Sequence, residues 1–474
     1  MSRLLLGLAM TLTACSPKLR SRAPVPPPQA VKSCSFDVQE LRAEPAELEI
    51  TAHCSGQQIT GFSPADDGSR RFLQVTEATP PVTPTRDGWQ FARPERDVTL
   101  RYRVDLEGVA SAAQRFDTAQ RIGHSLIAPA STFLLEPDPL EVGVPIDVAV
   151  HVPLGDDFAS GLAPVGNSTE HRFRLQAHEL SVATYSIFGR FTKDSVTVGS
   201  STIALVTADG ALDESPALYR QWVQDSAVAV SHFYRHFPAR NALVMLMPVP
   251  DRKEVVFGKV LPQSAPGVAI LVGQHASKAA LYDDWILVHE LFHIGFPSFH
   301  DEAKWLDEGS ATYFEPIIRA RAGYLTELEV WTEFARDMPK GLPAVEHEGL
   351  EHPSNFRAIY WGGAIACLLA DVAARQRSND VLGLEDGFRA VLEAGGNASE
   401  VWSLAQVTSV IDQRLGAPIL REIAKKHANS GEPVDLPALL ERLGVHSTPD
   451  GITLDDRAEL AHVRRAITFG TPRR

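Results

Sequence analysis

The chain has 474 residues and a formal net charge of −14, with 44 % hydrophobic and 22 % charged residues. This length suits two or three domains, and the composition is typical of a globular protein that buries a sizeable core. Acidic and basic residues are interspersed rather than grouped in blocks, which argues against nucleic acid as a partner because phosphate binding needs a basic surface.

Residues 1–14 are typical of a bacterial lipoprotein signal peptide. Arg3 precedes an apolar run over residues 4–14, and about eleven such residues are too few to span a bilayer, which takes about 20. The sequence LTAC that ends at Cys15 resembles a lipobox, in which the signal is cut before a cysteine that then carries acyl chains. The alternative is an ordinary secretory signal in which Cys15 is incidental. We predict a lipid-anchored protein on the extracytoplasmic side of a bacterial membrane, either outer-membrane or facing the periplasm.

The residues after the signal predict an extended tether and one disulfide. Residues 15–33 are rich in proline, serine and basic residues and offer little to bury, as is typical of a flexible linker. Cys34 and Cys54 bracket two apparent strands in the exported part, so a disulfide between them is expected in an oxidising compartment. Cys367 lies in an apolar helical run and is interpreted as a small core residue.

Residues 34–205 predict an all-β domain, interpreted as a sandwich. Short runs such as VTLRYRVDL (98–106), IDVAVHVPL (146–154) and SVTVGSSTIALV (195–206) alternate apolar and polar residues. Such alternation is typical of half-buried strands, and Gly, Pro, Asp and Asn lie between the runs.

Residues 206–474 predict a second domain that is mostly helical. Residues 216–237 carry apolar residues at helical spacing, with Pro216 suited to the first turn. A strand-like ALVMLMPV follows, and after a loop comes GVAILVG (267–273). We interpret GVAILVG as the sheet edge on which an extended peptide pairs, with an ordinary buried core strand as the alternative.

The sequence LVHELFHIG (287–295) carries the spacing HExxH. His289 and His293 are four residues apart, so on a helix they share a face and two imidazoles can bind one zinc ion. Glu290 can then reach a water molecule on the metal and act as a general base. The alternative is an ordinary helix whose histidines are partly exposed or hydrogen-bonded in the core, and a third ligand separates the two interpretations.

Glu308 is the predicted third ligand. It lies in AKWLDEGSATYFEP (303–316), fifteen residues after His293, and a His₂Glu set leaves the fourth zinc position open, as catalysis needs. Thr312 lies on the same helical face and is predicted to orient a ligand. His300 is a competing ligand, but HELFHIGFPSFH misses the metzincin spacing by one residue at both the glycine and the last histidine.

Three ordered motifs carry a resemblance to a known family. WILVHELFH and WLDEGSATYFEP resemble the zinc motifs of the gluzincin metallopeptidases, and the segment that begins IYWGGAIACLLADVAARQ resembles the tyrosine-glycine helix of that clan. With the leading β domain, the chain is most similar to the glycyl aminopeptidase family, without its C-terminal PDZ domain. The resemblance implies a thermolysin-like catalytic domain that is mostly helical with a small edge-stranded sheet. It also implies that Tyr360 stabilises the transition state.

One departure from the family concerns the free amine of the substrate. Family aminopeptidases hold that amine with a glutamate just before the zinc helix, but here the region reads FGKVLPQSAPGVAIL. Lys259 and Gln263 stand where the acid is expected, and Glu254 lies nearby outside that place. We therefore expect weak dependence on a free amino terminus, with aminopeptidase and endopeptidase action both left open.

The sequence thus predicts an α+β multidomain protein that binds one zinc ion per chain and hydrolyses peptide bonds of a peptide or protein substrate. Glu290 would be the general base, and the chain would bind membrane through its lipid. The alternative is a catalytically inactive peptidase-fold lipoprotein that binds a peptide or protein partner. Inactive relatives usually lose the base or a ligand, whereas this chain retains all of them.

The anchor is tested by replacing Cys15 with serine. Acyl chains hold a protein stably at a membrane when two or more are attached, so the variant should lose incorporation of a labelled fatty acid and leave the membrane fraction or keep its signal. Unchanged acylation in Cys15→Ser would rule out this anchor.

Overall fold

The fold is that of a computed structural model, which describes residues 32–65, 68–113, 118–139, 143–166, 170–182, 184–261, 265–299, 302–429 and 431–470. The predicted signal peptide, Cys15 and nearly all of the tether lie outside the described residues, as do Gln263 and His300. The lipid anchor therefore stays a prediction.

The N-terminal part is built from two sheets, as the alternating sequence predicted. Its strands are β1 Ser33–Ala43, β2 Ala46–Pro64, β3 Leu73–Thr79, β4 Val82–Pro84, β5 Trp89–Asp105, β6 Gln120–Ile122, β7 Ser125–Pro129, β8 Leu135–Asp138, β9 Pro145–His151, β10 Asp157–Ser160, β11 Ala163–Pro164, β12 His171–Gln176 and β13 Tyr185–Gly189. Two short helices, α1 Leu106–Ala113 and α2 Ala130–Phe133, lie between them. The larger sheet has the order β11-β12-β9-β1-β2-β5-β3, with β4 paired to β5 and β8 to β2, and the smaller has the order β10-β13-β7-β6.

The inward faces of these strands form one apolar core. In β1, alternate residues such as Phe36 and Val38 are buried while their neighbours face solvent, because successive side chains of a strand point to opposite faces. Cys34 and Cys54 are directly opposite each other in β1 and β2 and are joined by a disulfide.

A five-stranded sheet follows, with strands β14 Phe191–Val198, β15 Ser201–Ala208, β16 Asn241–Val249, β17 Val255–Leu261 and β18 Gly267–Gly273. Its order is β14-β15-β16-β18-β17. The change from one sheet system to the next therefore lies between Gly189 and Phe191, ahead of residue 205, where the sequence predicts the end of the β domain. Alternation marks a half-buried strand but does not say which sheet it joins, since that depends on its hydrogen-bonding partners.

The prediction that GVAILVG forms an edge of the sheet is wrong. Strand β18, the segment GVAILVG, pairs with β16 on one side and β17 on the other. Among the described strands the edges of this sheet are β14 and β17, and β17 is the edge that contacts α5. A continuous apolar run is typical of a strand buried on both sides, and β18 fits that rule.

Helices dominate the rest of the chain, as predicted. They are α3 Pro216–Tyr234, α4 Lys278–Asp283, α5 Ile286–His293, α6 Lys304–Arg321, α7 Glu327–Asp337, α8 Phe356–Ser378, α9 Leu384–Glu393, α10 Leu404–Leu415, α11 Ile419–His427, α12 Leu436–Arg442 and α13 Ala461–Phe469, with a hairpin of β19 Val445–Thr448 and β20 Gly451–Leu454. Helix α8 is long and apolar enough to cross a membrane, but 61 % of its apolar stretch is buried inside the fold. We interpret it as a core helix.

Buried ions fix α8 against its neighbours. Arg375 of α8 donates to Asp371 at 2.8 Å and to Glu385 of α9 at 3.2 Å, and Arg321 of α6 also donates to Glu385, at 2.6 Å. Tyr313 of α6 donates its hydroxyl to Asp371 at 2.9 Å. Removing one partner of such a buried set leaves an uncompensated charge, so the set holds the three helices in one arrangement.

Two glycines allow α6 and α8 to touch along their backbones. A β-carbon on Gly309 of α6 would lie 2.3 Å from the α-carbon of Gly363, and one on Gly363 of α8 would lie 1.8 Å from the carbonyl oxygen of Trp305. Both distances are shorter than any real contact, and the atoms met are backbone, which cannot move without separating the helices.

Gly363→Ala should therefore destabilise the protein by about 1–3 kcal/mol or more, measured as the free energy of unfolding in urea. The matched control is Gly362→Ala, whose added β-carbon would meet side-chain atoms of Leu350 and Ala344 at 3.1 and 3.2 Å. Both changes gain about 1 kcal/mol of helix propensity, so the control should be close to neutral. Equal effects of the two substitutions would contradict this account of the helix contact.

Candidate metal and catalytic centre

Helix α5 places both motif histidines in a buried position. Its apolar residues, among them Leu291 and Phe292, are buried in the core shared by the sheet and the helices, and the carboxylate of Asp284 accepts a hydrogen bond from the Leu287 N–H at the helix start, at 3.2 Å. The opposite face carries His289 and His293, which are only 2 % and 8 % exposed. Two nearly buried imidazoles need polar partners.

The carboxylate of Glu308 in α6 lies close to both histidine rings. Its Oε2 lies 3.3 Å from His289 Nε2 and 3.6 Å from His293 Nε2, and the two Nε2 atoms are 3.3 Å apart. Burial alone would raise the pKa of Glu308, but the hydrogen bonds and charges of the two histidines outweigh it and lower the pKa below its usual range.

The three donor atoms fit a zinc ion. Bonds of about 2.0–2.1 Å from a tetrahedral zinc to nitrogen or oxygen ligands place neighbouring ligand atoms about 3.3–3.4 Å apart, and the observed separations are 3.3, 3.3 and 3.6 Å. Two imidazoles and one carboxylate are also a donor set that zinc accepts, with a fourth position left for water or substrate. The predicted ligands therefore converge as the sequence indicated.

Asp307, which the sequence analysis missed, supports one of the ligands. Its Oδ1 lies 2.9 Å from His293 Nδ1, so the ring nitrogen that faces away from Glu308 is bound by a carboxylate. Burial would lower the pKa of His293, but Asp307 and Glu308 together raise it well above its usual range. The available signal was its place directly before Glu308, since metal-bound histidines commonly donate their second nitrogen to a carboxylate.

Thr312 does not orient a ligand side chain as predicted. Its hydroxyl donates to the backbone carbonyl of Glu308 at 2.7 Å, four residues earlier in α6. A threonine inside a helix commonly makes this bond, which satisfies its own hydroxyl.

The side chain of Glu290 extends from helix α5 to the edge strand β17. Its Oε2 accepts a hydrogen bond from the Val260 N–H of β17 at 2.8 Å. A β-carbon on Gly258 would lie 2.4 Å from Ile286 and 2.8 Å from Glu290, so the glycine permits the strand to approach α5. Burial raises the pKa of Glu290, although the nearby histidines oppose the shift. A raised pKa suits a carboxylate that takes and returns a proton.

Tyr360 lies beside the donor atoms. It is the fifth residue of α8, whose start Asn355 caps by accepting from the Ala358 N–H at 3.1 Å. The Tyr360 ring is parallel to that of His289 within 8°, with centroids 5.8 Å apart. Burial raises the pKa of the Tyr360 hydroxyl, and the charge of Glu308 raises it further, so the phenol keeps its proton and can donate a hydrogen bond.

The region expected to hold a substrate amine carries Glu254 as its only acid among described residues 254–261 and 265–273. Glu254 is exposed and pairs with Arg252 at the start of β17. Lys259 lies on β17 itself, directly opposite Ala269 of β18. Gln263 is outside the described residues.

Comparison with protein-family models and with curated proteins gave no match. Comparison with solved structures found similar folds. An aminopeptidase N family protein from Idiomarina loihiensis has a TM-score of 0.68 at 15 % identity, over 87 % of this chain and 78 % of its own. The M1 zinc metallopeptidase from Deinococcus radiodurans has a TM-score of 0.54 at 14 % identity, over 85 % and 95 %, with the same values for its mutant bound to a Tyr-Ser-Ala substrate. The chain therefore has the fold of M1 zinc metallopeptidases, a β-rich N-terminal part followed by a helical region.

Removal of the Asp307 side chain tests the metal site. Asp307→Ala should weaken zinc binding about 10- to 100-fold, measured by competition with a chelator, because His293 loses the carboxylate that orients its ring. The control is Glu302→Gln, since Glu302 accepts from the Leu404 N–H at 3.0 Å and not from a ligand. Unchanged zinc affinity in Asp307→Ala would show that the carboxylate has no part in holding the metal.

Proposed function

We propose that this protein is a zinc-dependent peptidase. The observation that carries the proposal is the meeting of His289, His293 and Glu308 at separations of 3.3–3.6 Å. Glu290 is hydrogen-bonded to β17 nearby, and Tyr360 stacks on His289. The likeness in fold to M1 zinc metallopeptidases supports it. The placement nearest the glycyl aminopeptidases rests on the sequence motifs alone and belongs to the same proposal.

The substrate would lie along β17. The Val260 N–H donates to Glu290, so this edge of the sheet runs beside the proposed general base. An extended peptide paired with this edge through its backbone would bring a carbonyl carbon next to Glu290.

His289, His293 and Glu308 would hold the zinc, which when bound supplies Lewis acidity to the scissile carbonyl and to a water molecule. Glu290 takes a proton from that water as the water oxygen bonds to the carbonyl carbon. The same carboxyl then gives the proton to the amine nitrogen as the carbon–nitrogen bond breaks. Tyr360 donates a hydrogen bond to the carbonyl oxygen as negative charge develops there.

With a lipid at Cys15, the enzyme would act on extracytoplasmic peptides from the surface of a membrane. The region before the zinc helix supports cleavage that does not require a free amino terminus, because β17 carries Lys259 where an amine-binding carboxylate would be needed.

Two substitutions separate the roles of the catalytic groups. Glu290→Gln should keep its zinc and lose nearly all activity, since the water loses its base. Tyr360→Phe should keep its zinc and KM while kcat falls about 10²- to 10³-fold, because the hydroxyl acts chiefly in the transition state. The assay is peptide hydrolysis, with zinc content measured on the same samples.

Each peptide is supplied with a free and with an N-acetylated amino terminus, and both forms should be cleaved. The matched control is Tyr324→Phe, a tyrosine that packs against Tyr282 with ring centroids 5.4 Å apart, away from the donor atoms. A Tyr360→Phe variant with more than about half of the wild-type kcat would exclude the oxyanion role. A wild-type protein without stoichiometric zinc would exclude the enzyme.

A further inference from the structure

A deep cavity opens beside the candidate catalytic centre. Its volume is about 760 Å³ and it lies between α6, α7 and the first turn of α8. Tyr360, Trp285 and Thr312 border it, so a group that enters the cavity lies next to the hydroxyl proposed to bind the developing oxyanion. We call this space the acidic cavity, because its polar wall is dominated by the carboxylates described next.

Glu315 of α6 is the most buried of these carboxylates. Its side chain is 3 % exposed, and its Oε1 accepts from Arg319 Nη1 at 3.0 Å. Its second oxygen, Oε2, has no hydrogen-bond partner among the described residues. This oxygen is accessible rather than enclosed in the core, so a ligand or water that enters the cavity can donate to it.

Glu333 of α7 adds a second carboxyl group. It is half-buried and makes neither a hydrogen bond nor an ion pair with any described residue. Burial raises the pKa of Glu333, the charge of Arg319 opposes that shift, and the charge of Asp337 adds to it. Burial also raises the pKa of Glu315 well above its usual range despite Arg319, and the charges of Glu333 and Asp284 add to that shift.

The cations of the wall do not balance these charges. Arg319 already donates to Glu315 and, through Nη2, to the carbonyl of Asp283 at 2.9 Å. Arg336 pairs with Asp337 at 2.6 Å, and Lys340 pairs with the same carboxylate. Arg357 lies at the rim, where it is exposed to solvent. In all, five carboxylic side chains and three arginines line the cavity, while Leu325 and Leu328 give it apolar surface.

We propose that the acidic cavity binds the cationic side chain of a substrate residue that adjoins the scissile bond, a lysine or an arginine, and that Glu333 and Glu315 select it. The inference rests on the proposed peptidase function. The cation would donate to Glu333 and to the unpaired oxygen of Glu315, and such charge-assisted bonds are stronger than neutral ones. The apolar wall would cover the methylene stem of the side chain.

The test compares arginine with citrulline, which has nearly the same shape and no charge. Two peptide pairs carry the exchange, one on each side of the scissile bond. The wild-type enzyme should show a kcat/KM about tenfold or more higher for arginine at one of the two positions. In Glu333→Gln the ratio of kcat/KM for the arginine peptide to kcat/KM for the citrulline peptide should fall toward one, while kcat/KM for the citrulline peptide is retained. Equal rates for arginine and citrulline at both positions in the wild type would overturn the proposal.

Two variants complete the comparison. Glu315→Gln can still accept from Arg319 and should also reduce the ratio. Glu422→Gln, a glutamate on the wall of a separate cavity beside α11, should leave it unchanged. Glu333→Gln removes a charge that burial disfavours, so it should fold at least as stably as the wild type. If both Glu333→Gln and Glu315→Gln still preferred arginine, the preference would come from other residues and the proposed role of the two glutamates would be wrong.

A binding measurement separates this inference from the proposed activity. Calorimetric titration of Glu290→Gln protein with the arginine and citrulline peptides reports affinity without hydrolysis. Tighter binding of arginine that Glu333→Gln abolishes supports the acidic cavity even if the wild type hydrolyses no peptide, in which case only the peptidase proposal fails. Hydrolysis of both peptides at equal rates with equal binding would overturn the cavity's role and leave the peptidase proposal intact.

Discussion

Three polar atoms from two helices lie within 3.6 Å of one another in a nearly buried place, and much of the surrounding structure maintains that arrangement. Two imidazoles and a carboxylate are costly to remove from water without strong partners. Despite burial, Asp307 and Glu308 raise the pKa of His293, and the two histidines lower the pKa of Glu308. A zinc ion held by the three side chains would supply positive charge at the same point.

Helices α6 and α8 can place side chains at this point because their backbones pack in direct contact. Gly309 and Gly363 bring α6 and α8 together, so Glu308 and Tyr360 approach the same point from different helices. Gly258 likewise allows β17 to lie close to α5. The buried ions around Arg375 and Glu385 then resist sliding of α8 relative to α6 and α9. The positions of the candidate ligands, base and hydroxyl thus depend on close contacts that tolerate no added methyl group.

Two elements near the donor atoms differ in character. Strand β17 lies at an edge of its sheet beside Glu290, and backbone pairing with a peptide there would ignore side-chain identity. The acidic cavity beside Tyr360 carries carboxylic side chains that would discriminate between substrate side chains. General backbone recognition and selective side-chain recognition would then be carried by separate elements of the proposed site.

The sequence alone determined the local chemistry. The helical period placed His289 and His293 on one face. The start of α3 followed from Pro216, and the bounds of β18 followed from the continuous apolar run GVAILVG, because local spacing and turn residues act over a few positions. Only the tertiary structure decided which strand is the edge, which sheet the hairpin β14–β15 joins, and that Asp307 rather than Thr312 supports a ligand. It alone also brought Glu315 and Glu333 to one cavity. These relations join residues far apart in the chain, or depend on the exact rotation of a helix, and no periodicity in the sequence encodes them.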